Sequence, residues 1–152
     1  MATTACGGKD RVSLSYLGVN HTEKSIVSVV VNGEGGVLNI PAKGGGGGQV
    51  CCVTLPRKWR PGLKVTIKWR EDGEFKRDAQ GQIVKEDGVP VIDDTPWKTR
   101  TVEVPEYSEK DLEHFDIHFL PGDKVFVKAS FSYPEHPDYQ PAYPQRKPTA
   151  AP

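Results

Sequence analysis

The sequence has no net charge and no long hydrophobic run. Its 20 basic side chains balance its 20 acidic ones, so no overall field draws the protein to nucleic acid or to an anionic membrane. No apolar stretch approaches the roughly 18 residues that a membrane-spanning helix needs. A chain of 152 residues is long enough for one domain with its own core. We therefore expect a single domain that binds no nucleic acid and meets a membrane only through a lipid anchor.

Motifs of catalysis are also missing. No Gly-x-Ser-x-Gly elbow is present to hold a nucleophilic serine on a strained turn. The run of five glycines at 44–48 is followed by Gln49 and Val50, whereas a phosphate-binding loop continues with Lys-Ser or Lys-Thr. We expect a protein that is not an enzyme and that carries no cofactor.

His114, Asp116 and His118 alternate along a predicted strand. They therefore project from one face, with the spacing that a metal site of two histidines and one carboxylate would use. The intervening Phe115, Ile117 and Phe119 explain the strand without a metal, because apolar residues face the core and polar ones face solvent. We favour the second interpretation and expect no metal.

Cysteine is rare, with three residues in the chain. Cys51 and Cys52 are adjacent, so on a strand they point to opposite faces, and they lack the CxxC spacing of a zinc site. One interpretation places one thiol in the core and the other outside. The alternative is a vicinal disulfide formed in an oxidising compartment.

The third cysteine stands in the run Thr3-Thr4-Ala5-Cys6-Gly7-Gly8. A small residue before a cysteine is typical of bacterial lipoprotein cleavage sites, where the thiol is acylated. No charged or apolar signal region precedes Cys6, so we expect Met1 to replace a removed signal peptide. This predicts lipidation at Cys6 and a periplasmic protein anchored to the outer membrane. The alternative is an ordinary disordered terminus with a stray thiol.

Alternating apolar residues and β-branched runs dominate the rest of the chain, which predicts an all-β fold. Turn residues such as Asn32-Gly33 and Pro121-Gly122-Asp123 separate the runs. We predict a β-sandwich of seven to eight mostly antiparallel strands, with an immunoglobulin-like layout as one possibility. The domain spans residues 11–133, between a linker at 1–10 and a proline-rich extended tail at 134–152. The predicted strands are 11–17, 26–31, 50–55, 63–69, 99–104, 114–120 and 124–130.

Two segments suit neither core nor ordinary turns. The glycine run is either a flexible connector or a backbone surface that a partner or anion approaches closely, with Gly45 and Gly46 as its contact residues. Residues 70–97 are too long and too polar for a hairpin loop. We expect this second segment to bind a protein partner through its acidic side chains and the tryptophan at its end, which are Glu71, Asp72, Glu74, Asp93, Asp94 and Trp97.

Several short motifs resemble a bacterial lipoprotein family of unknown function, of the DUF3304 type. They include Leu17-Gly18-Val19-Asn20-His21-Thr22, the glycine run with Cys51-Cys52-Val53, Val65-Thr66-Ile67-Lys68-Trp69 and His118-Phe119-Leu120-Pro121. Members are often encoded beside type VI secretion lipases, and some are similar to immunity proteins that neutralise a phospholipase in the periplasm. The resemblance implies a cognate secreted lipase as the partner. A periplasmic module that binds a small ligand or the cell envelope is the alternative function, and a metal-dependent enzyme ranks third.

Overall fold

The computed structural model describes residues 10–35, 39–93 and 95–144. Within these ranges the chain forms nine strands and one 3₁₀ helix at Glu109–Asp111. The strands are β1 (Arg11–Asn20), β2 (Ile26–Val31), β3 (Gly44–Pro56), β4 (Lys64–Glu71), β5 (Lys85–Glu86), β6 (Val89–Pro90), β7 (Lys98–Glu103), β8 (His114–Leu120) and β9 (Lys124–Ser130).

Seven of these strands form two sheets that enclose the core. The first has the order β3-β1-β8-β9 and the second has the order β2-β4-β7. All neighbours are antiparallel except β1 and β8, which are parallel. The predicted all-β sandwich of mostly antiparallel strands is therefore confirmed.

The strand order differs from the immunoglobulin layout. In that layout the first strand shares a sheet with the second, fifth and fourth. Here β1 and β2 lie in different sheets, and β1 pairs instead with β3 and β8. The chain crosses from one sheet to the other after each of the first three strands, so the immunoglobulin-like layout, which the sequence allowed as one possibility, is not the one adopted.

The core lies between the two sheets and follows the alternation of the sequence. Phe115, Ile117 and Phe119 of β8 are buried against residues of the second sheet such as Ile67 and Trp69. Trp69 packs against Phe119 with ring centroids 5.4 Å apart, which confirms it as a core residue. Burial of each of these side chains contributes roughly 1.5 to 3 kcal/mol to folding.

Two of the predicted turns are present, one directly after β2 and one between β8 and β9. Asn32 and Gly33 both have positive φ, at 50° and 79°, and Val31 and Glu34 exchange backbone hydrogen bonds of 2.7 and 2.9 Å across them. This is the geometry for which Asn-Gly is favoured. Pro121-Gly122-Asp123 joins β8 to β9, as predicted.

The helical elements of the described chain are short. Ser108 donates its backbone N–H to the Asp111 carboxylate at 2.9 Å at the start of the single 3₁₀ turn, and so caps it. Within the described ranges no helix has the length and hydropathy to cross a membrane.

Candidate functional site

The outer face of β8 is buried, contrary to the expectation that its polar side chains meet solvent. His114, Asp116 and His118 are exposed by 1%, 0% and 0%. The cover is the tail, which we define here as the described residues 131–144 that follow β9. Tyr139 of the tail is only 3% exposed. The described part of the expected proline-rich extended tail therefore lies on the domain, where it forms a layer over the first sheet.

A continuous series of hydrogen bonds joins β8 to the tail. Tyr139 Oη donates to Asp116 Oδ2 at 2.5 Å and lies 2.8 Å from His118 Nε2. His118 Nδ1 lies 2.9 Å from His21 Nε2, and Asp116 Oδ1 lies 2.5 Å from His114 Nδ1. We call these five side chains the histidine-tyrosine network.

The geometry fixes the direction of each hydrogen bond. Tyr139 has one proton and donates it to Asp116, so at its oxygen it must accept from His118 Nε2–H. A neutral His118 then has a lone pair at Nδ1, and we assign His21 Nε2–H as its donor. The donors therefore all point toward Asp116, which also accepts from His114.

Burial keeps the two linked histidines neutral. Desolvation, followed by the positive potential of His21 and Lys128, lowers the pKa of His118 to about 3. Desolvation and then Lys43 lower the pKa of His21. For Tyr139, desolvation, followed by the Asp116 carboxylate, raises the pKa far above its ordinary value. At neutral pH, His118 and His21 are therefore neutral and Tyr139 keeps its proton, which are the forms that these hydrogen bonds require.

A local turn after β1 positions His21. Asn20 is fully buried and donates from Nδ2 to the Lys24 carbonyl at 2.6 Å, while its Oδ1 accepts the Thr22 backbone N–H at 2.9 Å. The backbone N–H of His21 donates to the Phe119 carbonyl at 2.8 Å. The Asn20-His21-Thr22 motif is thus a buried Asx turn that aims the His21 ring at His118.

His114 lies at the other end of the network. Tyr133 of the tail stacks on its ring, with centroids 4.3 Å apart. Its Nε2 is buried and has no hydrogen-bond partner among the described residues. The same residues contain no group of three or more His, Cys, Asp or Glu side chains arranged to hold a metal.

The glycine run is not a flexible connector. It forms the first part of β3, where Gly45 pairs with Val19 and Gly46 pairs with Gly18 of β1. Gly45 N–H donates to Tyr143 Oη of the tail at 2.6 Å, and a Cβ at Gly45 would lie 3.1 Å from that oxygen. The glycine backbone, which was expected to be approached closely by a partner or an anion, is therefore approached by Tyr143 of the chain's own tail. Beside it lies a hollow of about 260 Å³.

Cys51 and Cys52, further along β3, form a vicinal disulfide in the structure. Cys51 is exposed and Cys52 is half-buried. The favoured interpretation of one free thiol in the core is wrong, and the alternative agrees with the structure. Cys6 lies outside the described residues.

The long polar segment between β4 and β7 forms an extension, which we call the arm and describe over residues 72–93 and 95–97. Lys76 N–H donates to the Val91 carbonyl at 2.8 Å, and Val84 N–H donates to the Lys76 carbonyl at 2.8 Å. Asp87 and Gly88 form the turn between β5 and β6. Residues 74–90 are exposed apart from two half-buried positions, so the arm extends away from the sandwich.

The arm carries apolar side chains on its surface. Phe75 and Ile92 face each other across an isolated β-bridge and are 49% and 51% exposed. Val89 is 64% exposed. Trp97 is 41% exposed, with Lys68 Nζ 5.0 Å and the Arg70 guanidinium 5.4 Å from its ring centroid. Trp97 therefore lies at the surface and not in the core.

The predicted acidic residues occupy the base of the arm. Asp72, Glu74 and Asp93 are exposed, and Asp93 N–H donates to the Glu74 carbonyl at 2.9 Å. Glu71 forms an ion pair with Lys98 and is partly buried. Asp94 lies outside the described residues. Gly45 and Gly46 lie on the first sheet and not on the arm, so the predicted binding residues fall into two groups.

The three tail tyrosines are parts of the site that the sequence did not single out, and His21 appeared there only within a family motif. The tyrosines' one signal is their recurrence at 133, 139 and 143 in a segment otherwise rich in proline and polar residues. Aromatic residues in such a segment indicate that it packs on something.

These features define a β-sandwich whose outer face is covered by its own tail and whose second sheet carries an exposed arm. A family model described as "Protein of unknown function (DUF3304)" matches residues 19–127. The chain belongs to that family. The matched region includes the arm and the β8 part of the network, and it ends before the tail. No curated protein and no solved structure matches the chain.

Proposed function

We propose that this protein is an immunity protein that binds and neutralises a type VI secretion phospholipase in the periplasm, acting as a binding protein and not as an enzyme. The observation that carries the proposal is the arm, which exposes Phe75, Ile92 and Val89 beside carboxylates. Exposed apolar groups that are contiguous and rimmed by polar ones are typical of protein interfaces. The resemblance of the sequence motifs to immunity proteins supplies the partner class.

The structure of the arm suits an interface with fast association and slow dissociation. Its backbone hydrogen bonds order it before binding, so less conformational entropy is lost on association. Apolar side chains at the centre of an interface mainly slow dissociation, whereas carboxylates at its rim mainly raise the association rate. A lipid on Cys6 would hold the protein at the membrane where a phospholipase acts.

We expect neutralisation of the exposed acids at the base of the arm to slow association with a type VI secretion phospholipase of the same organism. The variant Asp72→Asn, Glu74→Gln, Asp93→Asn should lower the association rate by about fivefold to tenfold at low ionic strength. The effect should shrink near 0.5 M salt, where the screening length is about 4 Å. Stopped-flow or surface-based kinetics over a salt series measure both values.

Two further variants separate charge from contact. Phe75→Ser with Ile92→Ser should raise the dissociation rate by about thirtyfold, the effect of losing a 2 kcal/mol hot spot. Removing three exposed acids elsewhere, Glu103, Glu109 and Glu113, as glutamines should leave the association rate nearly unchanged. Equal slowing in both triple variants would place the interface away from the arm.

A further inference from the structure

A wide groove lies between the tail and the segment before β8, with β9 as its floor. Its volume is about 1070 Å³. Phe126, Lys128 and Ser130 line it from the outer face of β9, where they pair with the three polar residues of β8. Tail residues form one wall, and Pro105 and Glu106 contribute to the other.

Among the described residues, the strand at the floor of this groove has a strand partner on one side only, and β7 and the 3₁₀ helix approach its other side without pairing with it. Within the described ranges β9 pairs with β8 alone. An edge strand presents backbone N–H and C=O groups with which a further strand can pair. Peptides commonly bind by adding a strand in this way, and side-chain pockets then select their sequence.

The side chains around the groove are mainly acidic and aromatic. Its walls carry four carboxylates, on Glu106, Asp111, Glu135 and Asp138. Phe131, which is 56% exposed, adds an apolar surface.

Two basic side chains lie at the same place and are held by local contacts. Lys128 donates to the Gln140 carbonyl at 3.0 Å and lies 4.4 Å from the centre of the Tyr139 ring. Lys110 lies 5.9 Å from the ring centre of Phe131. His136, in the tail, also lines the groove. The acids outnumber these two cations, so the groove favours a cationic occupant.

We propose that this groove binds an extended basic segment of another protein, which pairs with the edge of β9 that has no strand partner within the described ranges and places its cationic side chains against the carboxylates of the walls. The proposal goes beyond the arm interface, because the groove lies on the other sheet and is lined by different residues. It assigns a role to the tail, whose residues complete the site by forming one wall.

The test uses the full chain and a labelled synthetic peptide of alternating lysine and valine, four of each. Fluorescence polarisation should show saturable binding, and the amide signals of residues 126–130 should shift in NMR spectra. The variant Glu106→Gln, Glu135→Gln, Asp138→Asn should weaken binding by about tenfold at low salt, the sum expected for three exposed charge pairs.

A control variant removes the same number of charges from the arm, as Glu74→Gln, Glu86→Gln, Asp87→Asn, and should change the affinity by less than about twofold. A peptide of alternating glutamate and valine should not bind. Equal weakening in the two variants, or shifts confined to other strands, would overturn the proposal. Because the probe is not the phospholipase, failure here would leave the arm interface untouched, and failure of the phospholipase to bind would leave this result standing.

Discussion

The Tyr139→Phe variant should lose about 2 to 4 kcal/mol of unfolding free energy, because one hydroxyl serves two buried partners. Its loss leaves Asp116 Oδ2 without its donor at 2.5 Å and His118 Nε2–H without its acceptor at 2.8 Å. A buried polar group that loses its partner is penalised by about 1 to 3 kcal/mol, and by more when it is charged. Urea unfolding at neutral pH measures the difference.

Tyr133→Phe is the matched control for this variant. Tyr133 also lies in the tail and stacks on His114, but its hydroxyl accepts a long hydrogen bond of 3.4 Å from the exposed Gln49 amide. Its removal should change stability by less than about 0.5 kcal/mol. Similar small losses in both variants would show that the network does not hold the tail.

Stability should fall as the pH is lowered from about 6.5 toward 3. Folding lowers the pKa of His118 from 6.5 to about 3, so between these values the unfolded chain binds a proton that the folded chain excludes. The stabilisation is complete above the unfolded pKa and is lost progressively as the pH falls. The full shift corresponds to an upper limit of about 5 kcal/mol. His21, whose pKa is also lowered, adds to the same trend.

Unfolding curves between pH 3.5 and 7.5 measure this dependence, and a His118→Gln variant separates it from the titration of carboxylates. The variant should be less stable at neutral pH and should decline less steeply below pH 6.5. NMR of the imidazole signals gives a direct readout, because His118 should remain neutral at pH 5. A His118 ring that titrates near pH 6.5, or an unchanged slope in the variant, would contradict the assignment.

Most strands could be predicted from the local alternation of apolar and polar residues. The first and last residues of each strand show where that alternation was informative and where it was not. The β8 and β9 runs were predicted at their observed bounds, since aromatic and β-branched residues alternate there. The start of β3 was missed because glycine has little strand preference. The glycines at the start of β3 form a strand because they pair with Gly18 and the residues next to it on β1.

The candidate site depended on contacts that no local pattern contains. The alternation in β8 indicated correctly that His114, Asp116 and His118 share a face. That face is buried because Tyr139, 21 residues beyond His118, packs on it. His21 meets His118 because β1 and β8 are parallel neighbours. By contrast, the polar character of residues 70–97 was enough to indicate a segment outside the core.

The most direct test of the proposed function is a phospholipase assay on vesicles with a type VI secretion phospholipase of the same organism. Addition of the wild-type protein should suppress phospholipid hydrolysis until the activity reaches a minimum. The Phe75→Ser, Ile92→Ser variant should require a higher concentration, and its unfolding curve should match that of the wild type. Undiminished hydrolysis in the presence of excess folded wild-type protein would contradict the proposal that it is an immunity protein.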